Sequence, residues 1–208
     1  MQSPDMASNP PTSAVFWQPN HVDRSTREQL AGQRALTLWF TGLSASGKST
    51  TAYALEQQLI ASGHLCFVLD GDNLRHGINR DLDFTPEGRR ENIRRTAEIA
   101  RLMNDAGLIV IASLISPLVA DRAMAKAIIG AKHFVEVYLS TPLAVCEARD
   151  PKSLYRKARQ GLIPDFTGIS APYEAPTTAD IHVNTQDVTP TGAAAQIMAT
   201  LQQPLRVI

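Results

Sequence analysis

Five short stretches of the chain, 35–41, 65–69, 108–113, 134–139 and 181–183, are continuously apolar rather than alternating apolar and polar. A strand covered on both faces reads this way, whereas a strand with one wet face alternates. Between them, segments 49–62, 86–106, 117–130, 142–149 and 190–201 read as helices. In the second of these, Ile93, Ala97, Ala100 and Met103 recur at three and four residues, the period of one helical face. Several open on Pro at the first helical position, with Thr85, Ser116, Thr141 or Thr189 before it as N-cap. Strand–helix alternation of this kind predicts an α/β fold with a parallel sheet and right-handed crossovers.

Two stretches break the alternation. Residues 1–20 are rich in Pro, Ser, Asn and Gln, too polar to repay their ordering entropy, and read as a flexible arm ahead of a domain spanning 21–208. Val15, Phe16 and Trp17 form a small apolar cluster in that arm, suited to docking on the domain or on a second subunit. Residues 150–178 hold four prolines, two glycines and the basic Lys152, Arg156, Lys157 and Arg159, with no strong apolar period. A segment that long inside a compact domain is expected to be a mobile lid or binding loop.

Composition narrows the class. With 208 residues, 20 Lys+Arg against 20 Asp+Glu and 44% hydrophobic positions, the chain is sized for one core. Zero formal charge removes the basic excess that drives non-specific nucleic-acid or acidic-membrane binding, so neither is expected as a partner. The longest apolar runs fall far short of the roughly 20 residues a bilayer span needs. No export signal opens the sequence, and a cytoplasmic location is expected. The two cysteines, Cys66 and Cys146, lie within a predicted strand and helix and read as buried small hydrophobes.

The clearest chemistry is Gly42-Leu43-Ser44-Ala45-Ser46-Gly47-Lys48-Ser49, a G-x-x-x-x-G-K-[ST] loop between the first strand and first helix. Gly42 and Gly47 let successive backbone N–H groups turn inward as a nest for phosphate at a helix N-terminus. Lys48 is expected to reach the β- and γ-phosphates, and the Ser49 hydroxyl to ligate Mg²⁺. The rest of the triphosphate cradle falls to Ser44, Ala45, Ser46 and Thr50. A GTPase would need an N-K-x-D motif, which is absent, and an AAA-type or helicase ATPase a larger domain. A small-molecule kinase remains.

Asp70 and Asp72 close the second strand, at the sheet edge where open α/β folds bind ligands. Asp72 is the candidate to accept a proton from an acceptor hydroxyl and help hold Mg²⁺, with Asp70 in support; the alternative is a carboxylate pair capping the next helix. Arg75, Arg89 and Asn92 follow, the last two on one helical face. They suit an anionic ligand or, equally, a solvated surface paired with Glu91 and Glu98.

Together, Phe40-Thr41-Gly42-Leu43-Ser44, residues 69–77 (Leu-Asp-Gly-Asp-Asn-Leu-Arg-His-Gly), Glu91-Asn92-Ile93-Arg94-Arg95, Ile115-Ser116-Pro117, residues 146–152 (Cys-Glu-Ala-Arg-Asp-Pro-Lys) and Phe166-Thr167-Gly168-Ile169 resemble adenylylsulfate (APS) kinase. The match runs from about residue 36 to 176. The resemblance implies a single-domain P-loop NTPase-like three-layer α/β/α fold with a five-stranded parallel sheet and a mobile lid. It implies transfer of the ATP γ-phosphate to the 3′-hydroxyl of adenosine 5′-phosphosulfate, giving 3′-phosphoadenosine 5′-phosphosulfate in sulfate assimilation. By matched position, Arg75, Arg89 and Asn92 meet the phosphosulfate and ribose of APS, and Phe84 and Phe166 sandwich its adenine. Ile115 and Ser116 line the same pocket, Lys152 reaches in from the lid, and Arg149 stacks on the adenine of ATP. A homodimer and a functional link to ATP sulfurylase are implied as well.

Five positions depart from the family pattern. Ala45 and Ser153 stand where glycine is usual, as does Asp83, and Leu118-Val119 replaces an aromatic or His followed by a basic or polar residue. Ala45 is expected to be tolerated as a small side chain. Two rivals differ in class: another small P-loop kinase with a sugar or nucleoside acceptor, and a silent nucleotide-binding module attached to a sulfurylase. The retained Lys48, Ser49, Asp70 and Asp72 argue against the second.

Overall fold

All five apolar stretches form strands in the computed structural model, which describes residues 15–201 and residue 205. They are β1 Thr37–Thr41, β2 Cys66–Asp70, β3 Ile109–Ser113, β4 Phe134–Leu139 and β5 Ile181–Val183. All pair in parallel, in the order β2-β3-β1-β4-β5. β1 and β3 are buried at every position because they lie inside the sheet with helices on both faces. That is the physical origin of their continuous apolar pattern.

Helices cover both faces. On one, Ala52, Leu55 and Leu59 of α2 (Lys48–Ala61) and Ala193, Ala194 and Ile197 of α8 (Pro190–Leu201) pack on Leu38, Phe40, Ile109 and Ile111. On the other, Ile93, Ala97 and Ala100 of α4 (Pro86–Asp105) and Ala125 and Ile129 of α5 (Val119–Ile129) pack on Trp39, Val110 and Ala112. The expected three-layer arrangement follows. Four further helices are α1 Arg24–Ala31, α3 Gly71–His76, α6 Leu143–Arg149 and α7 Leu154–Arg159.

Two of the four expected threonine and serine caps form: the Thr85 and Thr189 hydroxyls accept from the N–H of Gly88 and Gly192, each at 3.1 Å. The other two do not. α5 starts at Val119 rather than 117, with Leu118 at the N-cap, and Ser116 is instead held at φ +38°. The Thr141 hydroxyl bonds Ser46 O and Thr185 Oγ1, and Pro142 precedes α6. Both hydroxyls are engaged at the sheet edge instead, Ser116 Oγ by the Trp39 indole N–H and Thr141 Oγ1 as above.

The 150–178 segment contains α7, and Tyr155, Ala158 and Phe166 build a satellite core with Cys146. One further expectation needs correction. Cys146 is buried, but Cys66 is only half-buried, because β2 is a sheet edge. Desolvation still pushes the Cys66 thiol up to about 11, which keeps it protonated and unreactive at neutral pH. Of the arm, residues 1–14 lie outside the described residues; Val15, Phe16 and Trp17 are 74%, 78% and 78% exposed, uncovered by the domain.

Candidate active site

The C-terminal ends of β1, β2 and β3 open into a cleft of about 1260 Å³. Ordinary single-ligand sites run to roughly 300–1,000 Å³, so this one has room for two small molecules end to end. Its wall includes Ser44, Ala45, Gly47, Lys48, Ser49 and Thr50 at one end and Arg75, Phe84, Arg89 and Asn92 at the other. Asp70, Asp72, Ile115 and Ser116 line the same cavity, and Arg149, Lys152 and Phe166 complete its lining. Every sequence-predicted site residue except Gly42 and Ser46, which lie beneath the loop surface, therefore lines one cavity.

The loop's backbone explains its glycines. A Cβ on Gly42, at φ +153°, would sit 2.8 Å from both Leu139 O and Ser46 Oγ. Gly47, the N-cap of α2, has φ +90° and faces Thr185 at 3.1 Å. Ala45 has φ +57°, a left-handed conformation that glycine adopts without cost and alanine does not. The restriction at this departure is thus the backbone angle rather than space for the methyl group. Ser153, the second such departure, has φ +54° at the start of α7.

Lys48 is buried, and its ammonium donates to the carbonyls of Gly42 at 3.0 Å and Leu43 at 2.6 Å. Burial pushes it down to about 8, against the pull of Asp70 and Asp72. The Ser49 hydroxyl donates to Asp70 Oδ2 at 2.7 Å, while Oδ1 of the same carboxylate accepts the N–H of Asp72 and of Asn73 and so caps α3. Asp70 thus caps α3, the alternative weighed for the pair, and also holds the Ser49 hydroxyl. Asp72 projects further out and pairs with Lys152 Nζ. Opposite Asp70 in register, Ser113 Oγ is buried without a hydrogen-bond partner.

At the far end, Arg75 lies over the Phe84 ring at 4.3 Å and Arg89 at 5.8 Å. Arg75 also donates to the carbonyls of Leu82 and Asp83, and Arg89 to Phe84 O and Asp165 O. Partial burial lowers both guanidinium pKa values, yet a guanidinium stays charged. Asn92 is buried, with its Oδ1 accepting from Asn79 Nδ2 at 2.9 Å. Asp83 takes the Thr85 N–H and hydroxyl, tying the turn before α4, which holds its carboxyl below the usual range. Phe166 is packed edge-on against Tyr155 at 5.1 Å, leaving one part of the ring to the cleft.

Sequence reasoning missed three contributors. Thr185, two residues beyond β5, receives Arg149 Nη1 at 2.9 Å and donates to Ser46 O at 2.9 Å. Its carbonyl accepts Arg149 Nη2 at 2.5 Å, so the guanidinium is held by its edges and its faces are left for stacking. Tyr155 donates to Ser44 O at 3.0 Å, bolting the 150–178 segment to the phosphate loop. Asp150 caps α7 through the N–H of Tyr155 and Arg156. Thr185 was findable from its place just past a strand's C-terminal end; the other two depend on the packing of α7.

The family model described as Adenylylsulphate kinase matches residues 34–184. An adenylyl-sulfate kinase of Erwinia tasmaniensis is 52% identical over 189 residues, covering 91% of this chain and 94% of that protein. The bifunctional enzyme CysN/CysC of Xylella fastidiosa is also 52% identical over 189 residues, of which this chain spans only 30% of the length. Among solved structures, the Mycobacterium tuberculosis APS kinase CysC in complex with AMPPNP and APS superposes with a TM-score of 0.78 at 45% identity, covering 81% of this chain and 98% of that one.

Proposed function

The chain belongs to the adenylylsulphate kinase family, and on that premise we propose that it is an adenylyl-sulfate kinase, moving the γ-phosphoryl of ATP to the 3′-hydroxyl of adenosine 5′-phosphosulfate. The observation that carries this reading is one continuous cleft with a phosphate loop at one end and a cationic, aromatic pocket at the other, two acids between them. The relative solved with AMPPNP and APS supports the pair of ligands.

In this reading the loop amides, Lys48, Ser44, Ser46 and Thr50 hold the triphosphate, and Arg149 stacks on the adenine of ATP. Arg75, Arg89 and Asn92 take the phosphosulfate and ribose of the acceptor, with Phe84 and Phe166 against its purine. Ile115 and Ser116 form the floor beneath it. As the bond from the γ-phosphorus to its bridging oxygen breaks, the 3′-oxygen closes on phosphorus and its proton passes to Asp72; ADP leaves. Little covalent work falls to the protein, so alignment and charge carry the rate. Lys152, paired with Asp72, brings the 150–178 segment over the reacting groups, and closure of that segment excludes competing water.

A Mg²⁺ ion fits the donors present. Ser49, Asp70, Asp72 and the unpartnered Ser113 hydroxyl offer hard oxygens, and no group of three or more His, Cys, Asp or Glu able to cage a metal occurs among the described residues. That set suits an ion held by one or two protein oxygens, water and substrate phosphates. Ser49 and Asp72 are the proposed ligands, Asp70 orienting Ser49. When bound, the ion would neutralise charge developing on the transferring phosphoryl group.

A cytoplasmic homodimer working beside ATP sulfurylase completes the proposal. The exposed Val15–Trp17 triplet supports the dimer, and the fusion of a matching segment into the bifunctional relative supports the sulfurylase link. No helix among the described residues is long and apolar enough to cross a membrane. The deciding experiment is ADP release followed with ATP–Mg²⁺ in the presence and absence of APS. Release should depend on APS; release driven by sugars or nucleosides but not by APS overturns the assignment.

A further inference from the structure

Trp39 lies at the centre of β1, fully buried and stacked on Phe134 at 5.8 Å. Core packing explains its ring but not its nitrogen. An indole N–H only donates, and a buried donor left unmatched is costly. This one donates to Ser116 Oγ at 3.1 Å.

Ser116 lines the cleft, is 2% exposed and has φ +38°, a conformation that a serine holds only when its surroundings impose it. The surroundings do so here. Its carbonyl accepts Arg122 Nη1 at 2.8 Å. Arg122 is in turn fixed by Glu136 at 2.8 Å and by Glu174 O at 2.7 Å. Backbone and side chain of Ser116 are therefore both pinned from beneath the cleft floor.

The direction of the Trp39 bond sets the polarity of the serine. A hydroxyl has one hydrogen and two lone pairs. The indole occupies a lone pair, and among the described residues no protein atom accepts the serine's hydrogen. That hydrogen is left for the cleft. The neighbouring Asn92 is arranged alike: its oxygen is taken by Asn79, which leaves its NH₂ to donate. With Arg75 and Arg89 lining the same cavity, this end of the cleft is rich in donors.

We propose that Trp39 is a positioning residue for the acceptor nucleotide, its indole N–H holding the Ser116 hydroxyl as a donor to an anionic oxygen of that ligand. The proposal rests on the kinase reading above. Trp39 touches no substrate, and its effect passes wholly through Ser116.

The test replaces Trp39 by its benzothienyl isostere, which keeps the ring's shape and stacking but lacks the N–H, and adds Trp39→Phe, Ser116→Ala and the isostere–Ser116→Ala double variant. Steady-state constants for each nucleotide and the Tm are measured on all of them and on the unaltered protein. For the isostere, KM for APS should rise about tenfold, the scale of one hydrogen bond to a charged group. KM for ATP and kcat should stay within about twofold, the signature of lost acceptor binding rather than lost chemistry. Ser116→Ala should show the same loss and the double variant no more. A well-folded isostere with unchanged KM for APS, or losses that add in the double variant, overturns the proposal and leaves the kinase reading intact. Absence of APS-dependent ADP release by the unaltered protein overturns both.

Discussion

Lys48 shows how a single residue links burial to ligand affinity. Its ammonium sits among loop carbonyls with its titration pushed down to about 8, so the empty site loses that charge in mildly alkaline solution. A bound polyphosphate favours the charged form and raises the same pKa. Binding above pH 8 must therefore take up a proton, and affinity for ATP should be flat below that pH and fall toward about tenfold per pH unit above it. Calorimetric titration in buffers of different ionisation enthalpy would read the proton uptake directly. Lys48→Arg, charged throughout, should flatten the profile, whereas an unchanged slope in that variant would place the titrating group elsewhere. Lys48→Ala should abolish turnover. At this same scale, legibility was high for side-chain identity and low for backbone angle. The Lys48, Ser49, Asp70 and Arg75 positions were readable from motif spacing, but the left-handed backbone of Ala45 and Ser153 was signalled only by the glycine usual at those positions, and nothing in the sequence says that Ser116 abandons its helix to meet Trp39.

Between residue and fold stands the 150–178 segment. Its satellite core is separate from the two main cores and rests on Phe166 and Tyr155 against Leu43, Ala45 and Leu143, that is, on the phosphate loop and α6. Removing a buried phenylalanine costs roughly 3–5 kcal/mol where the site cannot collapse. Here the loss should fall mainly on the segment, because its satellite core is separate from the two main cores. Phe166→Ala is expected to raise amide hydrogen exchange across 150–178 by more than about tenfold while β1 and β3 stay protected. A uniform rise, or none, would mean that the segment is not an independent unit. KM for APS should rise in parallel. The elements that sequence missed share a cause with this behaviour. α1, α3 and α7 run six to eight residues, too short to be stable alone, and each is secured by a tertiary device: Asp23 and Asp70 caps for the first two, Asp150 and the satellite core for the third. The five strands and the four longer helices were legible because their burial is sustained over enough residues to leave a period; α6, only seven residues long, was legible from the Thr141-Pro142 pair at its start.

At the scale of the whole molecule, an apolar patch is left uncovered. Val15, Phe16 and Trp17 stand consecutively at 74–78% exposure, an arrangement that a monomer keeps only at the cost of a solvated apolar patch. Burying each such side chain is worth roughly 1.5–3 kcal/mol, and in a two-fold dimer every contact is made twice. Three residues on each of two chains therefore supply an energy comparable with the roughly 4–15 kcal/mol that association costs, enough to matter but not to guarantee a tight complex. Light scattering on the full chain at micromolar concentration should give twice the 22.6 kDa chain mass. Phe16→Ala with Trp17→Ala removes four aromatic side chains from the assembly and should shift the mass toward the monomer by at least about tenfold in the concentration needed to dimerise. A monomer at every concentration, or a dimer indifferent to the double substitution, would detach the triplet from assembly. The cleft lies within one chain, so the monomeric variant should retain APS-dependent ADP release, and a loss of activity in step with the loss of mass would instead assign part of the site to the second subunit.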